Sequence, residues 1–134
     1  MVAKEINETA LDLLSKQDFT NAQNLFFKNA KENPSHETYN NLGYYLVSEG
    51  LICKNGTFRN AYKLGIKYLL KAANLKDSVV NLCALAKAID YELRIVPKSR
   101  KEALYQQSYK YLNKAIEIEF SDELKYNCVR LMFA

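Results

Sequence analysis

Apolar side chains return at intervals of three or four residues along most of the chain. Leu42 and Leu46, then Leu69, Ala72 and Ala73, then Leu82, Leu85 and Ile89, then Leu112, Ala115 and Ile116 each trace one face of a helix, which is helical periodicity rather than strand alternation. The pattern predicts seven helices, near residues 3 to 16, 20 to 32, 36 to 49, 58 to 74, 78 to 92, 100 to 119 and 122 to 133. Boundary chemistry agrees with it. Thr20 with Gln23, and Ser99 with Glu102 just after Pro97, read as capping boxes, in which a hydroxyl and a reciprocal side chain satisfy the free amides of a helix start. Ser35, Ser78 and Ser121 read as N-caps of the other helices. Asn33-Pro34 and Gly50 read as stops, because proline cannot continue a helix and glycine accepts the left-handed conformation.

The patterns recur at a fixed distance. Leu25-Phe26-Phe27-Lys28-Asn29-Ala30, Tyr68-Leu69-Leu70-Lys71-Ala72-Ala73 and Tyr111-Leu112-Asn113-Lys114-Ala115-Ile116 follow one another at a spacing of 43 residues. The same offset aligns the small residues Ala22, Gly65 and Ser108, and in the intervening segments Leu42 with Leu85 and Cys128, Gly43 with Ala86 and Val129, Leu46 with Ile89 and Met132. Two helical patterns repeating together describe stacked helix pairs, none of which buries its apolar face alone.

These residues resemble the tetratricopeptide repeat. Tyr39, Leu42, Gly43 and Leu46 match that family's first helix, and Asp18-Phe19, Ala22 and Phe26, ending at Pro34, match its second. The family's period is about 34 residues, whereas the second and third units here are longer, with the excess at about residues 51 to 60 and 94 to 103, between the paired helices. That feature is similar to the longer Sel-like repeats. Asn29 stands where the family carries Ala, as Ala72 and Ala115 do. The resemblance implies an all-α fold, a right-handed α-α superhelix of about three helix-pair repeats plus a C-terminal capping helix, for which a truncated fourth repeat is an equal alternative, and the chain's length makes it one domain over residues 1–134. Its parts are repeat 1 at about 3–34, repeat 2 at about 35–77, repeat 3 at about 78–120 and the cap at about 121–134.

Composition narrows the class. The apolar fraction of 49% and charged fraction of 25% are those of a folded chain, and four Gly with two Pro supply too few turns for a sandwich of short strands. Cys53, Cys83 and Cys128 lack metal-site or redox spacing, which suggests a reducing compartment. Charges from Lys4 to Asp18 interrupt any apolar run near the start, so neither a signal peptide nor a membrane span is predicted there and a cytoplasmic location is expected. A net charge of +4 is compatible with an acidic partner.

Proteins of the resembling family hold an extended peptide or a partner helix in a concave groove lined by first helices. Carried onto this chain, the groove positions fall on Asn7 and Leu11, on Glu37, Asn40, Tyr44, Val47 and Ser48, on Cys83, Lys87, Asp90 and Tyr91, and on Tyr126 and Arg130. Such a mixture of amide, aromatic and charged groups suits hydrogen bonding to a peptide backbone. The family's clamp for a terminal carboxylate is matched by Asn41 but not by Asn7, Val80 or Ala84. The expected function is therefore a scaffold or adaptor for an unspecified protein partner.

Two alternatives stand beside it. Ile52-Cys53 and Ile95-Val96 align as apolar pairs beneath the inserted segments, with Lys54, Arg59, Arg94, Lys98, Arg100 and Lys101 along one basic edge. A charge run of this kind is usually a solvated surface, and a nucleic-acid partner is not expected, but the edge is the place where an anion or nucleic acid would bind. The final helix, with Leu124, Val129, Leu131, Met132 and Phe133, would instead join two copies of the chain, giving a monomer or weak homodimer.

Catalysis, metal and cofactor binding are not expected. His36 is the sole histidine and is read as an exposed turn residue; Gly43, Gly50, Gly56 and Gly65 do not cluster as a phosphate loop; Glu117 and Glu119 read as solvated rather than paired for acid-base work. Among the ten tyrosines, Tyr62 with Tyr105 and Tyr68 with Tyr111 hold equivalent repeat positions and are expected to serve in packing.

Overall fold

The computed structural model describes residues 2–48, 58–94 and 96–118, and the described secondary structure is entirely helical. Six helices follow in order: α1 (Ala3–Ser15), α2 (Phe19–Glu32), α3 (His36–Ser48), α4 (Phe58–Leu75), α5 (Val79–Leu93) and α6 (Lys98–Ile118). They match the first six predicted helices to within about two residues. The predicted seventh, the capping helix, lies outside the described residues, as do Ser121, Gly50, Ile52, Cys53 and Ile95. The sequence suggests a single domain. By contacts the chain falls into two compact units, Met1–Leu75 and Lys76–Ala134, divided close to the expected junction of the second and third repeats.

In the first unit α1 packs on α2, α2 on α3 and α3 on α4, and α1 also touches α3. The link from α1 to α2 is a tight hydrogen-bonded turn. The amides of Gln17 and Asp18 donate to the carbonyls of Leu14 and Leu13 at 3.0 and 2.9 Å, the paired pattern of a Schellman motif, with Gln17 at φ 61° in the left-handed position usually given to glycine. Asp18 then caps the next helix. Its carboxylate accepts from the Asn21 amide at 3.4 Å and from Asn21 Nδ2 at 2.8 Å. The Thr20 capping box is thereby corrected: the helix already begins at Phe19, and Asp18 holds the N-cap position. Ser99 is corrected likewise, since α6 begins at Lys98 and places Ser99 inside the helix.

The turn before α3 has a counterpart before α5. Ser35 Oγ accepts from the Thr38 amide at 3.1 Å, and Ser78 Oγ accepts from the Asn81 amide at 3.2 Å. Thr38 Oγ1 donates to the Asn33 carbonyl at 2.8 Å, while Asn81 Nδ2 donates to the Lys76 carbonyl at 2.9 Å. All three positions of this device recur at the 43-residue offset, although threonine and asparagine perform the last bond with different atoms. Thr38 and Asn81 are 3% and 1% exposed. Burial without these bonds would leave polar groups unmet, so the turn satisfies the carbonyls that follow one helix while starting the next.

Small residues sit where helices must come close. Ala10 and Ala22 are fully buried in the first pair; Gly43 and Gly65 approach backbone to backbone in the second; Ala86 and Ser108 are buried in the third. Around them, Phe26 stacks on Tyr45 with ring centroids 5.0 Å apart, and Tyr68 lies between Tyr39 at 6.0 Å and Phe27 at 6.4 Å. Leu42, Leu69, Leu82 and Leu85 are at most 1% exposed, each burial favourable by about 1.5–3 kcal/mol. Tyr62 is buried, and Tyr105 and Tyr111 lean on the apolar clusters of the second unit, in keeping with a packing role.

Asn29 is 2% exposed and does what Ala72 and Ala115, both fully buried, do not. Its Nδ2 donates to the Ala3 carbonyl at 3.0 Å, tying α2 to the first turn of α1, and its Oδ1 accepts from Asn33 Nδ2 at 2.9 Å. In the second unit α5 packs on α6, and of the extra residues at about 94 to 103 those from Lys98 onward belong to α6, which begins two residues earlier than expected. Pro97 has no amide to leave unbonded and its carbonyl accepts from the Arg100 amide at 2.9 Å, so α6 starts immediately after it. Val96 packs on Ile89, Leu93 and Leu104.

Candidate functional site

Helices α1 and α3 carry the first two predicted groove rows. Along α1, Ile6 and Ala10 turn inward and are 1% and 0% exposed, which leaves Asn7 half-buried and Leu11 52% exposed one turn later. Along α3 the buried positions are Thr38, Asn40, Leu42, Gly43, Tyr45, Leu46 and Val47, so only a narrow strip remains open. Tyr44 lies on that strip at 37% exposed, one turn after Asn40, and Ser48 follows with its Oγ donating to the Tyr44 carbonyl at 2.7 Å. Asn7 and Asn40 are thus matched positions of successive helix pairs, as are Leu11 and Tyr44.

The two asparagines share a second property. Oδ1 of Asn7 and Oδ1 of Asn40 are buried and have no hydrogen-bond partner among the described residues. Asn40 is 6% exposed as a whole residue. An unmet buried carbonyl costs about 1–3 kcal/mol, and nothing in the surrounding helices compensates it.

Val47 must be corrected. It is fully buried, and its Cγ2 lies against the face of Gly65, 2.7 Å from where a Cβ would stand, so it joins α3 to α4 and cannot reach a ligand. Glu37 is exposed, with its carboxylate 3.3 Å from His36 Nε2. His36 itself opens α3 with a half-buried side chain, not the exposed turn residue expected from sequence.

In the second unit the groove and edge predictions converge on one residue. Arg94 donates to Asp90 Oδ2 at 3.2 Å and rests over the Tyr91 ring at 5.5 Å, so two groove positions are engaged by a basic-edge position. Asp90 is 9% exposed, Cys83, Lys87 and Tyr91 half-buried. Arg100 lies 3.9 Å from Glu92, Lys98 is exposed and Lys101 half-buried, all three cations in the opening turns of α6 rather than in a loop. Carboxylates therefore offset part of the basic edge. Lys54, Tyr126 and Arg130 lie outside the described residues, and of Arg59 only the place in α4 is described.

Among the described residues no group of three or more His, Cys, Asp or Glu side chains could hold a metal, and no helix is long and apolar enough to cross a membrane. Sequence reasoning passed over Lys63, Lys67 and Lys71, exposed on α4. Their signal was available: α4 contains no acidic residue, and its cations recur every fourth position. Comparison with family models, with curated proteins and with solved structures gave no match, so the architecture rests on the chain's own repeat and packing.

Proposed function

We propose that this chain is a helical-repeat binding module of the tetratricopeptide or Sel-like kind, and that its first unit takes an extended segment of another protein along α1 and α3. The observation that carries this reading is the pair of unpartnered amide oxygens on Asn7 and Asn40, each followed one turn later by an exposed apolar or aromatic side chain, Leu11 or Tyr44. A carboxamide oxygen accepts hydrogen bonds, and an extended peptide supplies backbone N–H donors at regular intervals while Leu11 and Tyr44 cover its side chains. The broad χ2 torsion of asparagine lets each amide turn towards an incoming donor. No catalytic step enters the proposal; a reducing, intracellular setting is part of it.

Asn40→Leu tests it, because the substitution removes the unmet oxygen while keeping the side chain's approximate volume. Screened on an array of extended peptides, the parent is expected to select a subset and the variant to lose it, while the variant's unfolding midpoint stays level or rises. A variant that binds as the parent does would remove the assignment. A variant that unfolds at markedly lower denaturant would show that Asn40 serves the fold instead.

A further inference from the structure

Helix α4 presents a second surface, independent of the α1 and α3 rows. Its sequence carries Arg59, Lys63, Lys67 and Lys71 at successive fourth positions and no Asp or Glu. Like charges at this spacing face one another on a helix surface about 6 Å apart and disfavour the helix. Lys63 and Lys67 have no carboxylate within ion-pairing distance among the described residues, and Lys71 lies over the Tyr39 ring at 4.5 Å. An apolar row runs beside the cations: Ile66 is half-buried, Leu70 is 37% exposed, and Leu75, at the end of the cationic row, is 60% exposed. Lys63, Ile66, Lys67, Leu70, Lys71 and Leu75 border a shallow depression of about 510 Å³.

We infer that this face of α4 docks an acidic amphipathic helix of a partner protein. Carboxylates on every fourth residue of such a helix meet the lysine row at the same rise, and an adjacent apolar row covers Ile66 and Leu70. Charge complementarity selects this occupant: Lys63 and Lys67 face no carboxylate among the described residues, and the like charges along the row repel one another until an anionic partner arrives. A nucleic-acid backbone would neutralise the lysines but leave the apolar side chains of Leu70 and Leu75 facing phosphates. A membrane surface would need a deeper apolar face than three aliphatic side chains level with their lysines provide.

The test uses the full chain and a synthetic helical peptide with glutamate at every fourth position and leucine in the neighbouring row. Lys67→Glu is the variant of choice, because it sets a carboxylate between Lys63 and Lys71 and so favours the helix it alters. The parent is expected to bind the peptide, less tightly as salt rises, and Lys67→Glu to weaken binding by about tenfold or more. A peptide with lysine at the facing position should restore binding to the variant and lose it with the parent. Equal binding of the glutamate peptide by parent and variant, failure of the exchanged peptide to restore it, or binding confined to anionic vesicles or to single-stranded RNA would each overturn the proposal. The Asn40→Leu variant should bind this peptide as the parent does, which keeps the two surfaces distinguishable.

Discussion

Gly43 and Gly65 meet backbone to backbone: a Cβ built on Gly43 would stand 2.8 Å from the Gly65 carbonyl oxygen and 2.9 Å from the Leu69 amide nitrogen. No side-chain rearrangement relieves a collision with main-chain atoms, so even one methyl group must push α3 and α4 apart. Gly43→Ala is expected to cost about 1–3 kcal/mol despite alanine's better helix propensity. Urea unfolding followed by circular dichroism measures it; a variant as stable as the parent would show that the helices do not cross so closely.

Gln17 offers the opposite prediction. Its φ of 61° is strained for any residue with a Cβ, and its side chain is exposed. Gln17→Gly should stabilise the chain by about 1 kcal/mol, the relief of the left-handed conformation exceeding glycine's greater entropy when unfolded. A lower unfolding midpoint for the variant would mean that the link between α1 and α2 does not use the Schellman turn.

Asn29→Ala removes the bond to the Ala3 carbonyl and the bond from Asn33. The expected cost is about 1 kcal/mol, concentrated where α1 docks. Hydrogen exchange should accelerate at the amides of α1 while those of α4 keep their protection. Uniform acceleration, or none, would contradict a local tie.

Thr38→Val and Asn81→Leu each delete the donor that bonds back across a helix junction. Each is expected to lose about 1–3 kcal/mol by leaving a carbonyl with a poorer partner, and each loss should be felt in its own unit. Chemical-shift changes confined to the neighbourhood of the substitution, with a lower unfolding midpoint, are the expected signature; a variant with the parent's midpoint would remove the junction from the account.

Helix positions were legible because Leu42, Leu69, Leu82 and Leu112 each belong to an apolar row at helical spacing within their own helix, and all four are buried. Two starts were misplaced for a physical reason: a carboxylate caps as well as a hydroxyl, so Asp18 takes the position assigned to Thr20, and a proline at a helix entrance lets α6 begin before Ser99. The site was less legible. Spacing put Val47 in the same row as Asn40 and Tyr44, but Gly65 leaves a hollow that Val47 fills, and that hollow belongs to another helix. Sequence likewise named Asp90 and Arg94 separately without revealing that they pair. Unmet atoms such as Asn40 Oδ1 exist only as relationships among neighbours, and periodicity carries no trace of them.

The junction formed by Asn33, Ser35 and Thr38, and again by Lys76, Ser78 and Asn81, is self-contained within one short stretch of chain. A gene segment copied in tandem would therefore carry the fastening for its own helix entrance with it. Growth by duplication demands no simultaneous change elsewhere, and descendants can lengthen or shorten while each copy drifts in the side chains it shows to solvent.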